Sequence, residues 1–121
     1  MADVHEYLIR SFRQGILPRG VKPDKSPMPT WRPDFFAAKK SPQGRIVAQI
    51  AVEAEIKSTL YSDHTAEQLV LMQEFIEHQK EKGIKVRGYL LVPKGKEVRR
   101  LASWLVESLF PTGTSIALIQ K

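Results

Sequence analysis

Apolar and polar positions alternate along residues 45–58, RIVAQIAVEAEIKS. The even positions from 46 to 56 are all apolar, whereas the odd positions change from mostly apolar to the charged series Glu53, Glu55 and Lys57. Alternation with a period of two is typical of a β-strand with two unlike faces. The sequence therefore predicts a long strand with one apolar face and a second face that becomes charged towards its end.

Apolar residues at helical spacing predict three helices around this strand. The first runs from an Asp3 cap to Gly15, the second ends near Gly83, and the third is KEVRRLASWLVESLF. Thr65 with Gln68 forms a possible capping box for the second helix, and Asp63 is a competing cap.

Further strands are predicted at DFFAAKK, KVRGYLLVP and TSIALIQ, with SPQG as a hairpin turn before the long strand and another strand possible near 30–33. The predicted order is α-β-β-α-β-α-β. Strands joined through helices imply parallel neighbours, and a hairpin implies antiparallel ones. The expected fold class is therefore α/β, with a single mixed sheet flanked by helices.

The composition fits one domain, 1–121, that contains a proline-rich loop at 18–33. The absence of cysteine excludes disulfides and thiolate zinc sites. No apolar run is long enough to cross a bilayer, and the first residues lack a signal-peptide pattern, so we expect a cytoplasmic protein without a membrane partner. The net charge of +6 favours polyanionic partners, although it also fits ordinary solubility charge.

Candidate chemistry lies in the predicted hairpin. Asp34 opens its first strand and Glu55 lies near the end of the second, so the hairpin can bring the two carboxylates together. Lys57 would share a strand face with Glu55. Two carboxylates and the backbone carbonyl of Ile56 suit Mg²⁺, for which Mn²⁺ can substitute, and Lys57 could orient or deprotonate an attacking water. The pattern therefore suggests metal-assisted hydrolysis of a phosphodiester.

Each of these residues also has a plainer interpretation. Asp34 can be a turn residue after Pro33, and Glu55 with Lys57 can be an exposed ion pair on a solvated strand face. Glu53 could contact the metal ligands without binding the metal itself, or it could be a charge at the rim of the site. It is left out of the predicted site.

RPDFFAAKK followed by IAVEAEIKS resembles the PD-(D/E)XK nuclease superfamily, which has the restriction-endonuclease-like fold. The resemblance extends from the first helix to GYLLVP and implies an α-β-β-β-α-β core, with the last helix and strand as an extension. It implies metal binding by Asp34 and Glu55 and water activation by Lys57. It also suggests Glu6 as a further metal ligand and Gln68 as a catalytic or substrate contact, although both residues are also candidates for helix caps.

The resemblance implies a metal-dependent DNA endonuclease. So small a chain suits structure-specific or partner-guided cutting, as in Holliday-junction resolvases or transposition nucleases. We expect a homodimer, because cutting two strands needs two sites, and a protein partner in recombination, repair or transposition is possible. In a prokaryote or virus the protein would associate with the nucleoid. The alternatives are a non-catalytic nucleic-acid-binding or assembly module that retains the fold, and an unrelated α/β ligand-binding domain.

Clusters of basic residues are the candidate DNA contacts. One group flanks the hairpin turn, and a second lies before the third helix. A further group lies in the proline-rich loop beside Trp31, whose ring could stack on bases. Trp104 is assigned to packing or to an interface. The basic candidates are Lys39, Lys40 and Arg45 at the hairpin, Lys94, Lys96, Arg99 and Arg100 near the third helix, and Arg19, Lys22 and Lys25 in the loop.

Overall fold

The structure is a computed structural model that describes residues 4–15, 21–24 and 30–121, with side chains of the first range described for residues 7–13. Three helices and five strands follow one another along these ranges. They are α1 (Val4–Gly15), β1 (Lys22–Pro23), β2 (Phe35–Lys40), β3 (Ile46–Ala54), α2 (Asp63–Glu81), β4 (Lys85–Val92), α3 (Lys96–Leu109) and β5 (Ile116–Gln120).

The five strands form one mixed sheet in the order β1-β2-β3-β4-β5. β1, β2 and β3 are antiparallel neighbours, whereas β3, β4 and β5 run parallel. The parallel pairs are connected through α2 and α3, and β2 and β3 are connected by a turn that contains Gly44 at a φ of 82°. The predicted α/β class, with a mixed sheet flanked by helices, is confirmed.

Each face of the sheet has its own apolar core. Alternation along β3 directs Ile50 and Val52 to the α1 face, while Ala51 between them faces α2 and α3. Leu8 and Phe12 of α1 fill the first core. The core beneath α2 and α3 includes Trp31, Phe36, Leu69, Met72, Phe75, Leu90, Val92 and Leu105.

The segment before β2 differs from the prediction. Residues 31–33 form no strand, and the additional strand is instead β1, in which Lys22 pairs with Ala38. Trp31 is completely buried and packs against Phe36 and Phe75, with ring centroids 6.0 Å and 4.9 Å away. Its ring is therefore a core element, and the expectation that it could stack on bases is wrong.

The connection between β3 and α2 also differs from the prediction. β3 ends at Ala54, because a turn begins in which the Ile56 N–H donates to the Thr59 hydroxyl at 2.9 Å. Local side-chain bonds of this kind compete with continuation of a strand. α2 is capped by Ser62, whose side chain accepts from the His64 N–H, and not by Thr65 or Asp63. Thr65 is buried and donates its hydroxyl proton to the Thr59 carbonyl.

Some predictions fall on residues that the structure does not describe. The Asp3 cap and the basic residues Arg19 and Lys25 lie outside the described ranges, and so does the side chain of Glu6. Within the described ranges, no helix is long and apolar enough to cross a membrane.

Candidate metal centre

Three carboxylates meet where β2 begins and β3 ends. The antiparallel register pairs Phe35 with Val52, which places Asp34 beside Glu53 at this end of the hairpin. One carboxylate oxygen from each of Asp34, Glu53 and Glu55 lies within 4.8 Å of the other two. The hairpin thus brings Asp34 and Glu55 together as predicted and adds Glu53 to them.

Hydrogen bonds across the two strands fix the geometry of this acidic cluster, which we define as Asp34, Glu53 and Glu55. The Asp34 N–H donates to Glu53 Oε1 at 3.3 Å, and Asp34 Oδ2 accepts from the Ala54 N–H at 2.8 Å. The Glu55 N–H donates to the Leu91 carbonyl on β4 at 2.9 Å. The acidic cluster is therefore positioned by the backbone of three neighbouring strands.

The acidic cluster lies at the carboxyl-terminal ends of β3 and β4, on the sheet face that α2 and α3 cover. Glu53 is on this face because it alternates with Val52 and Ala54, which face α1. The carboxyl ends of parallel strands are the usual place for ligand sites in open α/β sheets. Both α2 and α3 begin at this edge of the sheet, since α2 follows β3 and α3 follows β4.

Burial and mutual repulsion dominate the electrostatics of the acidic cluster. Glu53 is 3% exposed and Glu55 is 6% exposed, whereas Asp34 is exposed. Burial first, and then the neighbouring charges of Asp34 and Glu55, together raise the pKa of Glu53 to about 9. Glu53 is consequently protonated at neutral pH when no cation is present, and it shares a hydrogen bond with Glu55.

These donors match a hard divalent cation. Carboxylate oxygens are the ligands that Mg²⁺ and Mn²⁺ take, and an ion of charge +2 would relieve the repulsion among the three acids. A metal bound here would displace the proton of Glu53, since ligands must be deprotonated. Asp34, Glu53 and Glu55 are the residues that would hold it.

Gln68 lies close to this region but in another role than a helix cap. It is buried in α2, and its Oε1 accepts from the Arg32 N–H at 3.1 Å. Arg32 is two residues before Asp34, so Gln68 anchors the segment that leads into the acidic cluster. Its predicted contact with substrate or reacting groups stays a prediction.

The structure does not place Lys57 on the strand face of Glu55. Because β3 ends at Ala54, Lys57 lies in the following turn, and its Nζ pairs with Glu97 Oε2 on α3 at 2.5 Å. Both side chains are exposed. The hydrogen bond and charge of Glu97 raise the pKa of Lys57. Lys57 is therefore a member of an exposed ion pair, and its predicted role with the attacking water stays a prediction.

The Ile56 carbonyl, predicted as the third ligand, is already used within the turn. It accepts from the N–H groups of Thr59 and Leu60, both at 3.1 Å, and from the Thr59 hydroxyl at 3.0 Å. A carbonyl oxygen has two lone pairs, and three donors occupy them. The third carboxylate of the acidic cluster is instead Glu53, and coordination by the Ile56 carbonyl stays a prediction.

The predicted basic contacts divide into two groups. Lys39 and Lys40 are at the far end of β2, about 17–20 Å along the strand from Asp34, and Arg45 is beside them across the hairpin turn. Lys94 and Lys96 follow the carboxyl end of β4, where the acidic cluster lies. Only the second group is at the same edge of the sheet as the acidic cluster.

Glu53 is the site residue that the sequence analysis left out. The E-x-K pattern directed attention to Glu55 and Lys57, while Glu53 lies on the same strand face as Gln49 and Ala51. The register of the hairpin could have identified it. If Gly44 closes the turn, the start of β2 lies beside the last residues of β3, of which Glu53 is one.

Comparisons with known proteins do not assign the chain to a family: no family model, curated protein or solved structure matches it.

Proposed function

We propose that the protein is a Mg²⁺-dependent nuclease that hydrolyses phosphodiester bonds in DNA, with Mn²⁺ as a substitute ion. The convergence of Asp34, Glu53 and Glu55 within 4.8 Å at the carboxyl edge of the parallel strands carries the proposal. The observed order of elements, α-β-β-β-α-β with a further α and β, is compatible with the restriction-endonuclease-like core that the sequence resembles. The proposed substrate also fits the net charge of +6.

Different residues of the chain would bind the ion, position the site and contact the substrate. Asp34, which is exposed, and the buried Glu53 and Glu55 supply the oxygen ligands. A bound ion would polarise the phosphoryl oxygen and lower the pKa of the attacking water. Gln68 keeps the entry to β2 in place through Arg32. Lys94 and Lys96 are exposed near this edge and would neutralise phosphates of the substrate. Two copies of the chain would be needed for a double-strand cut.

One observation favours a second candidate function, a non-catalytic nucleic-acid-binding module. Lys57 pairs with Glu97 on α3, so the cation expected to act on the water is directed to another partner. A module of this kind would bind nucleic acid with the same basic residues and cleave nothing. The two functions differ in one measurable property, metal-dependent cleavage.

The test is incubation of supercoiled plasmid and branched DNA with the protein in Mg²⁺, in Mn²⁺ and in chelator. We expect nicking that requires the metal and falls at least about 100-fold in Glu55→Gln, because loss of a ligand removes the ion. Glu74→Gln is the matched control, since Glu74 is an exposed glutamate of α2 and should keep full activity.

Calorimetric titration with Mg²⁺, together with thermal melting, distinguishes a variant that no longer binds the ion from a variant that no longer folds. Wild type and Glu74→Gln should bind the ion, and Glu55→Gln should not, while all three melt cooperatively. If the protein binds DNA but does not nick it with either metal, the nuclease proposal is wrong and the non-catalytic module is supported. Absence of metal binding in the wild type would contradict the assignment of the acidic cluster.

A further inference from the structure

Two exposed aromatic residues lie on the same surface as several cations. Tyr61 is 68% exposed in the turn after β3, and Trp104 is 56% exposed on α3. The chain has two tryptophans, and the other, Trp31, is fully buried. Tyrosine and tryptophan are enriched at contact surfaces, because each ring is apolar at one end and polar at the other.

Tyr61 lines a depression together with residues of the α3 face on which Trp104 also lies. Lys57, Tyr61, Glu97, Arg100 and Leu101 line one open depression. Trp104 is one helical turn from Arg100 on α3, so positions 97, 100, 101 and 104 form one stripe of the helix. We call this surface the aromatic–basic strip and define it by Lys57, Tyr61, Arg100 and Trp104.

The aromatic–basic strip begins close to the acidic cluster. Lys57 is two residues after Glu55, so their Cα atoms are at most about 7 Å apart. Tyr61 belongs to the turn that follows, and α3 begins at the same edge of the sheet, because it follows the carboxyl end of β4. A ligand on the aromatic–basic strip could therefore extend to the carboxylates.

We propose that the aromatic–basic strip binds an unpaired, single-stranded stretch of nucleic acid and leads it to the acidic cluster. Arginine and lysine contact phosphates, while exposed aromatic rings stack on bases. Stacking needs the open face of a base, which a base-paired duplex does not offer at its side. The proposal rests on the proposed function in so far as it names the substrate of that nuclease.

The charges favour a polyanion over an apolar partner. Residues 94–100 contain Lys94, Lys96, Arg99 and Arg100 against the single acid Glu97, and all five are exposed. Glu97 holds Lys57 in an ion pair, so phosphate must compete with Glu97 for this cation. Removal of the Glu97 charge should accordingly tighten binding.

The experiment is a binding titration in chelator, so that no cleavage occurs, with a labelled single strand of about 15 nucleotides and a duplex of equal length. Trp104 provides an internal signal, since Trp31 is buried and gives a constant background. We expect the single strand to quench the tryptophan emission and to bind more tightly than the duplex. Tyr61→Ala and Trp104→Ala should each weaken single-strand binding roughly tenfold, and Glu97→Gln should strengthen it.

Tyr7→Ala is the matched control, because Tyr7 is an exposed tyrosine on α1, across the sheet from α2 and α3. It should leave the affinity unchanged. Equal affinity for single strand and duplex, or unchanged binding in Tyr61→Ala and Trp104→Ala, would overturn the proposal. Acrylamide quenching of Trp104 without nucleic acid provides a further check. If Trp104 becomes less accessible to acrylamide as the protein concentration increases, the surface binds a second copy of the chain and the proposal is wrong.

Failure of this inference can be told apart from failure of the nuclease. The binding titration is made in chelator, so its outcome does not depend on whether the acidic cluster is catalytic. Metal-dependent cleavage of duplex DNA without stacking on Tyr61 and Trp104 would contradict the proposed single-strand binding but not the nuclease. Stacking without cleavage in any metal would contradict the nuclease but not the binding surface.

Discussion

The middle and the carboxyl end of β3 both place buried polar groups under α2 and α3, with opposite consequences. At the middle of the strand, Gln49 accepts from the Gln79 amide at 2.7 Å, and both side chains are buried. At the carboxyl end, Glu53 and Glu55 are equally buried but face each other and Asp34. The two amides of the first pair satisfy each other within the protein, whereas the second group brings three carboxyl groups together. Acidic groups in such an arrangement are candidates for function.

The largest effect that can test this contrast is the dependence of stability on pH without metal. The pKa of Glu53 is about 9 in the folded protein, against an ordinary value of 4.5, so its contribution to stability is fully present below pH 4.5 and is lost as pH rises towards 9. Urea unfolding in chelator should show stability falling by up to about 1.4 kcal/mol per pH unit in this window.

Glu53→Gln should remove this slope, because its amide remains neutral and can still accept from the Asp34 N–H. Glu74→Gln, at an exposed position, should keep the slope of the wild type. An unchanged slope in Glu53→Gln would mean that the burial of Glu53 is not the source of the pH dependence.

A smaller effect on stability is expected at the uncharged pair of Gln49 and Gln79. Gln79→Leu leaves the buried Gln49 amide without its partner and should cost about 1–3 kcal/mol of unfolding free energy. Equilibrium urea unfolding measures this loss. The double variant Gln49→Leu with Gln79→Leu should recover part of it, since two apolar side chains leave no polar group unpaired. A double variant less stable than the sum of the single losses would contradict a self-contained pair.

The smallest effect on stability is expected for the opposite-charge pair of Lys57 and Glu97. Both side chains are exposed, so solvent screens their attraction despite the 2.5 Å distance. Lys57→Ala should melt within experimental error of the wild type at moderate salt, as measured by circular dichroism. A loss of Tm as large as that of Gln79→Leu would show that this pair supports the fold.

The periodicity of β3 was sufficient to predict that its even and odd residues lie on opposite faces of the sheet. Ile50 and Val52 are in one core and Ala51 is in the other, as alternation requires. The mixed sheet followed from the hairpin and from the helices between strands. The short β1 could not be predicted, because its two residues are paired only through the backbone to β2 and carry no apolar pattern.

The candidate site was predicted in part. Asp34 and Glu55 were recognisable because the hairpin returns to its starting point. The position of Lys57 depends on where β3 ends, and that is decided by the hydrogen bonds of Thr59 in the next turn. A strand pattern extends through Ile56 in the sequence and gives no sign of this competition. The burial of Trp31 is likewise a tertiary effect, since it depends on Phe36 and Phe75.

The paired hydrogen bonds between Asp34 and the end of β3 have a consequence for the order of folding. Asp34 can meet Glu53 and the Ala54 N–H only when β2 and β3 are in their final register, since a slip by one residue turns every side chain to the other face. Burial of Glu55 further requires β4, which pairs with β3 only after the long crossover through α2. The capacity to hold a cation would thus arise late in folding, and an incompletely folded chain would carry the same acids without a shared binding point.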